Sequence, residues 1–251
     1  MSDAPQFFDM PPSSEGGAKR IAYRMHQGGG PTLVFLPGYM SDMAGGKATA
    51  LFEWARANGR ACLLLDYSGC GQSDGDFADG SLSRWRNEVC ALIEAKVSGP
   101  VVVIGSSMGG WLMLLVGEAL GDQLAGMIGI AAAPDFTLWG YDETQRAQLA
   151  RGETVFEDNP YGPEPTPTYA RFFKDAEAQL KLDRAIDITC PVHLLHGQQD
   201  EDVPWDISLK LAKALRSESV QVTLVKDGDH RLSREEDIAL LMRAVANLPT
   251  D

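Results

Sequence analysis

The pentapeptide GSSMG at residues 105–109 has the composition and spacing of a turn that presents a nucleophile. It follows a β-branched run at 101–104, which predicts a buried strand, and it precedes a segment with helical spacing. In this strand–turn–helix setting, G-x-S-x-G exposes the hydroxyl of its central serine at the end of a sheet. Ser107 has a glycine two places away on both sides, and Ser106 does not. Ser107 is therefore the predicted nucleophile, with a tightly packed glycine-rich turn as the alternative.

Two further residues would complete the chemistry of an activated serine. The serine needs a histidine base, and the histidine needs a carboxylate that fixes its tautomer. With a strand-ending serine of this kind, the chain order is serine, acid, histidine. His230 follows the last predicted strand, and Asp200 lies three residues past Gly197, at the end of the strand before it. We therefore predict a catalytic triad of Ser107, Asp200 and His230.

Other histidines and acids compete for these two roles. The remaining histidines are His26, His193 and His196. The last two lie in or at the end of a predicted strand, so we expect both to be structural, and the first is far from the carboxyl ends of the strands. The other acids at strand ends are Asp66, Asp135 and Asp202. Asp202 is the main rival to Asp200 and could instead cap a helix, whereas Asp66 is expected to brace a glycine-rich loop.

Two loops supply the predicted donors of an oxyanion hole, where a preorganised N–H can be worth roughly 3–4 kcal/mol. One predicted donor is the backbone N–H of Met108, immediately after the nucleophile. The second is expected in the loop LPGYM at residues 36–40, which follows an apolar run at 32–36. Gly38 permits close backbone approach in this loop, and the N–H of Tyr39 is the predicted donor. An ordinary strand-ending Pro-Gly turn is the alternative.

Short apolar runs alternate with amphipathic segments along most of the chain. Predicted strands span residues 32–36, 61–65, 101–104, 124–132, 192–196 and 220–225, and predicted helices span 47–58, 82–97, 109–120, 204–215 and 233–247. This alternation indicates βαβ units and a mostly parallel sheet, whose ligands gather at the carboxyl ends of the strands. Two more strands, at 6–10 and 20–26, are predicted to form an N-terminal hairpin. The tetrapeptide SREE at 233–236 is the predicted capping box of the last helix.

Residues 134–189 interrupt the alternation and are predicted to form a small helical cap over the site. An insertion of this length in a compact domain is usually functional or disordered, and its many aromatic residues argue against disorder. Trp139, Phe172 and Phe173 are predicted to line an apolar substrate pocket, with packing of the cap onto the core as the alternative. The rest of the chain, 1–133 and 190–251, is predicted to be one core domain.

Composition narrows the class of protein further. The chain has 251 residues and a formal net charge of −13, which opposes binding to nucleic acids and to anionic membranes. It has no metal-ligand spacing and no phosphate or dinucleotide loop, so we expect neither a metal nor a cofactor. Its four scattered cysteines are expected to be reduced. With no signal peptide and no apolar stretch long enough to cross a membrane, the predicted location is cytoplasmic.

Five segments together resemble the α/β-hydrolases. They are LPGY at 36–39, DYSGCGQS at 66–73, GSSMGGW at 105–111, LHGQQDEDVPW at 195–205 and GDHR at 228–231. Within that family they are similar to the palmitoyl-protein thioesterase and acyl-glucuronide esterase subgroup of mitochondria and its bacterial relatives. The resemblance implies an α/β-hydrolase fold, with a mostly parallel eight-stranded sheet flanked by helices and a small helical cap. It places nucleophile, acid and base on Ser107, Asp200 and His230, and implies long-chain acyl thioesters or activated esters as substrates.

The expected function is that of a serine hydrolase that cleaves carboxylic esters or acyl thioesters through an acyl-enzyme. Its expected partner is a small-molecule ester or thioester, or an S-acylated protein, and the oligomeric state is left open. A C–C bond hydrolase or a peptidase would use the same triad, and a binding protein could use the same scaffold without catalysis. The complete set of Ser107, Asp200 and His230 favours catalysis over binding alone.

Overall fold

Strands and helices alternate along the chain, as the spacing of the apolar residues predicts. The structure is a computed structural model, and it describes residues 4–11, 19–159 and 162–248. The strands are β1 (Gln6–Asp9), β2 (Arg20–His26), β3 (Gly29–Leu36), β4 (Arg60–Leu65), β5 (Val101–Ser106), β6 (Leu124–Ile130), β7 (Val155–Glu157), β8 (Thr166–Thr168), β9 (Val192–Gly197) and β10 (Val220–Val225). The α-helices are α1 (Gly46–Ala57), α2 (Leu82–Lys96), α3 (Met108–Leu120), α4 (Phe136–Trp139), α5 (Glu143–Ala150), α6 (Ala170–Glu177), α7 (Asp206–Ala214) and α8 (Glu235–Ala246). None of the helices in these described ranges is long and apolar enough to span a bilayer.

Eight of the strands form one sheet in the order β1-β2-β4-β3-β5-β6-β9-β10. All neighbouring pairs from β4 to β10 are parallel, and the pairs β1–β2 and β2–β4 are antiparallel. The predicted N-terminal hairpin is therefore present, although the residues that join its strands, 12–18, lie outside the described ranges. The prediction of a mostly parallel, eight-stranded sheet flanked by helices is confirmed.

Strand β5 lies inside the sheet and is covered on both faces. Val101 and Val103 pack into a cluster with α2 and α3, whereas Val102 and Ile104 pack into a second cluster with α1 and α8. Because successive side chains of a strand point to opposite faces, a strand that is covered on both sides is apolar at every position. The two layers of helices hold the carboxyl end of β5, where the predicted nucleophile lies, in a fixed position.

The segment between β6 and β9 contains α4, α5 and α6, and also a two-stranded antiparallel sheet formed by β7 and β8. The predicted helices are present, but the hairpin was not predicted. Each of its strands has three residues, which is too short to show the alternation that signals a strand. The limits of the cap at residues 134 and 189 stay a prediction.

Asp135 fastens the beginning of this segment to its end. Its carboxylate accepts hydrogen bonds from the backbone N–H groups of Lys181, at 2.8 Å, and Leu182, at 2.7 Å. Its φ is 58°, a left-handed conformation that aspartate tolerates better than most residues. Burial raises the pKa of Asp135, although these N–H donors oppose the rise. Asp135, one of the alternative acids, therefore has a structural position away from the triad.

The start of α8 differs from its predicted capping box. Arg234 is the N-cap residue, and Asp237 accepts hydrogen bonds from both its N–H and its guanidinium. The Ser233 hydroxyl instead donates to the carbonyl of Arg231, at 3.0 Å. The prediction of Ser233 and Glu236 as the capping pair is wrong by one residue, because a charged arginine–aspartate pair occupies the positions one place further along.

Candidate active site

Ser107 forms the tip of a strained turn between β5 and α3. Its φ is 54°, a conformation that residues other than glycine adopt rarely and often at functional sites. The backbone on both sides fixes this geometry. The N–H of Ser107 donates to the carbonyl of Ile130 at 2.9 Å, and the N–H of Ala133 donates to the carbonyl of Ser107 at 3.0 Å. The serine therefore stands at the N-terminus of α3, which favours negative charge.

The two glycines of the G-x-S-x-G turn are required by close backbone packing. A Cβ atom on Gly105 would lie 2.2 Å from the carbonyl oxygen of Gly109. A Cβ atom on Gly109 would lie 2.2 Å from the carbonyl oxygen of Leu36 and 2.4 Å from that of Pro37. Backbone atoms cannot move away as a flexible side chain would. The sequence pattern therefore follows from two close contacts, that of Gly105 with the start of α3 and that of Gly109 with the end of β3.

The hydroxyl of Ser107 lies within hydrogen-bond distance of His230, with 3.1 Å between Oγ and Nε2. The other ring nitrogen of His230, Nδ1, lies 2.9 Å from Oδ2 of Asp200. Because an ionised carboxylate can only accept, Nδ1 carries the hydrogen and Nε2 is free to accept from the serine. The structure thus brings together the three residues predicted from the sequence, in the order that a base-activated nucleophile requires.

Asp200 is held in place by three hydrogen bonds and by a close contact with a second histidine. Its Oδ1 accepts from the N–H groups of Asp202, at 3.0 Å, and Val203, at 2.8 Å. Its Oδ2 faces Nδ1 of His230 at 2.9 Å and Nε2 of His196 at 3.1 Å. Burial alone would raise the pKa of Asp200, but the bonds from the two histidines outweigh burial and hold the pKa well below its ordinary value. The acid is therefore an ionised carboxylate at neutral pH.

The backbone at Tyr39 and Met108 borders the cavity beside Ser107. Neither N–H donates to an acceptor among the described residues. Met108 is the first residue of α3, where helix geometry leaves the N–H without an intrahelical partner. The side chain of Tyr39 points elsewhere, because its hydroxyl donates to the carbonyl of Pro167 in β8, at 3.0 Å. This arrangement suits two N–H donors to one oxyanion.

A cavity of about 710 Å³ opens over Ser107 and His230. Its volume lies within the ~300–1,000 Å³ typical of ligand pockets. Its apolar lining includes Tyr39, Met40, Phe136, Trp139, Tyr141 and Val203. Its charged lining includes Asp42, Lys47, Glu157, Asp158, Glu201, Asp202 and Arg231. One cavity thus offers apolar surface from the cap and charged groups beside the same serine.

The three aromatic residues predicted to line the pocket have different positions. Trp139 lines the cavity, as predicted. The prediction for Phe172 and Phe173 is wrong, because these side chains are 1% and 6% exposed and pack into hydrophobic clusters. Phe172 stacks on Phe136, with 5.7 Å between ring centroids. Phe172 therefore joins the cap to the core, whereas Phe173 packs within the cap, against Leu149, Val155 and Tyr141.

Lys47 is a cavity residue that the sequence did not single out. Its ammonium donates to the carbonyl of Arg231, the residue after His230. Burial, followed by the nearby charge of Arg231, lowers the pKa of Lys47 to about 8. Lys47 therefore braces the loop that carries the base. In the sequence it is one lysine in the first turn of an amphipathic helix, which ordinarily marks a solvated position.

Two of the alternative acids have other contacts. The carboxylate of Asp66 accepts from the N–H of Met43, at 2.7 Å, and from the N–H of Gln72, at 2.8 Å. It therefore braces the glycine-rich loop, as predicted. Asp202 does not cap α7, because that helix has its N-cap at Trp205. Its backbone N–H instead supports the carboxylate of Asp200.

Asp200, Asp202 and His230 are the described residues that come closest to forming a metal site. Their potential ligand atoms lie within 4.8 Å of one another. However, both ring nitrogens of His230 are already engaged, one with Asp200 and one with Ser107. A cation at this place would have to displace one of those partners. The expectation that no metal takes part stays a prediction.

Comparisons with known proteins identify the family and the fold. A family model described as the alpha/beta hydrolase family matches residues 33–243. The curated protein "Palmitoyl-protein thioesterase ABHD10, mitochondrial" of Mus musculus is 40% identical over 236 residues, which cover 91% of this chain and 78% of that protein. A solved structure from Agrobacterium vitis S4, described as a hydrolase, is 36% identical with a TM-score of 0.90, and covers 96% of this chain and 97% of that chain. Alpha/beta hydrolase domain-containing protein 10 from mouse is 34% identical with a TM-score of 0.87, at the same coverage.

Proposed function

The chain belongs to the alpha/beta hydrolase family, and from that premise we propose that it is a serine hydrolase that cleaves carboxylic esters or acyl thioesters, with Ser107, Asp200 and His230 as its catalytic triad. The observation that carries this proposal is the 3.1 Å contact between Oγ of Ser107 and Nε2 of His230. The base is in turn oriented by Asp200 at 2.9 Å. A serine, a base and an orienting acid in hydrogen-bond contact form the arrangement that activates a hydroxyl for acyl transfer.

The proposed reaction has two halves that use the same residues. Ser107 Oγ attacks the carbonyl carbon while Nε2 of His230 takes its proton, and the N–H groups of Tyr39 and Met108 bind the oxyanion. The intermediate collapses to an acyl-enzyme, and the leaving alkoxide or thiolate receives the proton from His230. Water then gives a proton to His230 and attacks the acyl-enzyme, which releases the carboxylic acid and restores Ser107. Asp200 stabilises the imidazolium in both halves.

The cavity supports an acyl group as the bound part of the substrate. Aromatic side chains, among them Phe136 and Trp139, line the same cavity as the serine that would carry the acyl group. Apolar surface of this kind gains free energy when it is removed from water by an alkyl chain. Together with the name of the Mus musculus relative, this favours thioesters of long-chain acids, on a small molecule or on an S-acylated protein.

The cellular location stays a prediction. The sequence predicts a cytoplasmic protein, whereas the curated relative is described as mitochondrial. The four cysteines are free thiols in the structure. Free thiols are usual in the cytosol, where glutathione and thioredoxin keep cysteines reduced.

A series of acyl donors tests the proposed function. The hydrolysis of p-nitrophenyl esters from acetate to palmitate, and of an S-palmitoyl peptide, is measured with the wild type and with Ser107→Ala. We expect turnover to rise with acyl length in the wild type, and kcat to fall by ~10⁴–10⁶-fold in the variant. Undiminished turnover by Ser107→Ala would contradict the proposal. Ser107-dependent turnover of short chains alone would keep the triad and exclude long-chain substrates.

A further inference from the structure

His196 is a fully buried histidine at the carboxyl end of β9, beside the acid of the triad. Its Nε2 lies 3.1 Å from Oδ2 of Asp200 and 3.0 Å from the carbonyl oxygen of Val203. Its Nδ1 lies 2.7 Å from the hydroxyl of Ser208, which is buried on α7. The sequence predicts a structural role for His196, but these contacts join it to the residues of the proposed reaction.

One tautomer of His196 satisfies all three contacts. Both neighbours of Nε2, a carboxylate and a backbone carbonyl, can only accept a hydrogen bond, so Nε2 carries the hydrogen. The uncharged ring then accepts at Nδ1, where the Ser208 hydroxyl donates. The acceptors around Nε2 therefore fix the tautomer of His196, and the hydroxyl of Ser208 adapts to it and orients the ring from the Nδ1 side.

The contact adds a ring nitrogen to the surroundings of a carboxylate that is buried. Oδ1 of Asp200 accepts two backbone N–H groups, and Oδ2 accepts Nδ1–H of His230. Oδ2 also lies 3.1 Å from Nε2 of His196, whose hydrogen bond goes to the carbonyl of Val203. The side chains of His196 and Asp200 both have no exposed surface. Without His196, Oδ2 would have His230 as its remaining partner. In the low dielectric of a protein interior, losing one member of a polar network leaves the others less well paired, which is costly in free energy.

We propose that His196 is a positioning residue for the acid of the triad, with its Nε2, anchored on the carbonyl of Val203 and 3.1 Å from Oδ2 of Asp200, holding that carboxylate in the orientation that receives Nδ1–H of His230. This inference rests on the proposed function, in which His230 is the base. When His230 takes the proton of Ser107, the developing imidazolium faces a carboxylate that is already fixed. A contribution made in the transition state raises kcat and leaves the binding of substrate unchanged.

Three variants separate positioning from folding. His196→Leu removes the donor and keeps an apolar side chain, whereas His196→Gln returns an amide N–H near the position of Nε2. His193→Leu is the matched control on the same strand, because His193 makes no hydrogen bond to the triad within the described ranges. We expect His196→Leu to lower kcat for p-nitrophenyl acetate by ~10–100-fold at unchanged KM. We expect His196→Gln to recover most of that loss and the control to match the wild type.

The same kinetics can overturn the proposal. A folded His196→Leu protein with the wild-type kcat would contradict it, as would a His196→Gln protein that is as slow as His196→Leu. If His196→Leu does not fold, Ser208→Ala decides, because it removes the hydroxyl that orients the ring at Nδ1 and leaves the ring itself in the protein. We expect kcat to fall by ~2–10-fold at unchanged KM, and a wild-type kcat in Ser208→Ala would contradict the positioning role.

Proton NMR distinguishes failure of this inference from failure of the proposed function, since it needs no substrate. The proton on Nδ1 of His230, between the ring and Asp200, is expected to give a low-field resonance. We expect that resonance to shift or broaden in His196→Leu and to return in His196→Gln. An unchanged resonance would overturn the positioning role. A changed resonance, in a protein without Ser107-dependent turnover, would refute the proposed function and leave the positioning role in place.

Discussion

The hydroxyl of Tyr39 donates a hydrogen bond to the carbonyl of Pro167, 128 residues further along the chain, at 3.0 Å. The residue that offers its backbone N–H to the proposed oxyanion is therefore tied through its side chain to β8 of the cap. Its ring also packs edge-on against Phe77 and Phe172, with centroids 4.9 Å and 5.1 Å away. The position of the oxyanion donor thus depends on the cap as well as on the sheet.

Replacing Tyr39 by phenylalanine tests this connection. Tyr39→Phe keeps the ring contacts and leaves the buried carbonyl of Pro167 without its donor, so we expect the free energy of unfolding to fall by ~1 kcal/mol. Because the donor loop is loosened, kcat should fall as well. Tyr141→Phe is the comparison, since it breaks a 2.8 Å hydrogen bond between the hydroxyls of Tyr141 and Thr168, a residue of β8 like Pro167. Urea denaturation and ester kinetics should show similar losses of stability but a larger loss of kcat in Tyr39→Phe.

The cap tryptophan should set the preference for long acyl chains. Trp139 lines the cavity, so Trp139→Ala removes apolar surface that would cover an alkyl chain. We expect kcat/KM for p-nitrophenyl palmitate to fall by about tenfold, and kcat/KM for the acetate to change much less. Phe156→Ala is the control, because Phe156 is an exposed aromatic residue on β7. An equal loss with both esters in Trp139→Ala would mean that the acyl chain binds elsewhere.

The turn that carries the nucleophile should not accept a side chain at its second glycine. Gly109→Ala places a Cβ atom 2.2 Å from the carbonyl oxygen of Leu36, so we expect the free energy of unfolding to fall by ~1–3 kcal/mol or more and kcat to fall with it. In the control, Gly46→Ala, the added Cβ has no neighbour within 4 Å. Chemical denaturation should show an unchanged or slightly raised stability for Gly46→Ala, since alanine favours a helix over glycine.

The lowered pKa of Asp200 predicts how the stability of the protein changes in acid. A carboxyl group whose pKa is lower in the folded than in the unfolded chain stabilises the fold above its unfolded pKa of about 3.9. That contribution is lost as the pH falls through this value toward the folded pKa. The difference in free energy of unfolding between the wild type and Asp200→Asn should therefore be largest at neutral pH and should narrow below about pH 4. Urea denaturation at a series of pH values measures this difference in the free energy of unfolding. A difference that stays constant with pH would contradict the lowered pKa of Asp200.

The sequence predicts the triad because each of its members carries a separate signal. Ser107 is marked by its glycines, which are required by the close packing of the turn against the start of α3 and the end of β3. Asp200 and His230 each follow a strand, and parallel strands bring their carboxyl ends to one edge of the sheet. Chain order then selects among the acids and histidines. These signals are local, and the topology of the parallel sheet places the three residues at one edge. The triad can therefore be predicted before any side-chain contact is known.

Other features depend on packing that the sequence pattern does not contain. The spacing of Phe172 and Phe173 shows that α6 has a buried face, but not whether that face meets a cavity or the core. His196 looks like a buried strand residue, and it touches Asp200 because the loop from 198 to 203 turns back on the end of β9. Lys47 looks solvated until α1 is placed beside the loop of His230. To predict each of these features, one must know the distance between segments that are remote in the chain or joined by an irregular turn.

The most direct test of the proposed chemistry is to trap the acyl-enzyme and locate the acyl group. The protein is mixed with an S-palmitoyl peptide, quenched in acid within the first turnover and digested for mass spectrometry. We expect one palmitoyl group per chain on the peptide that contains Ser107, and none on that peptide in Ser107→Ala. Turnover of the same substrate with the acyl group on another residue, or with no acylated residue at all, would contradict the assignment of Ser107 as the nucleophile.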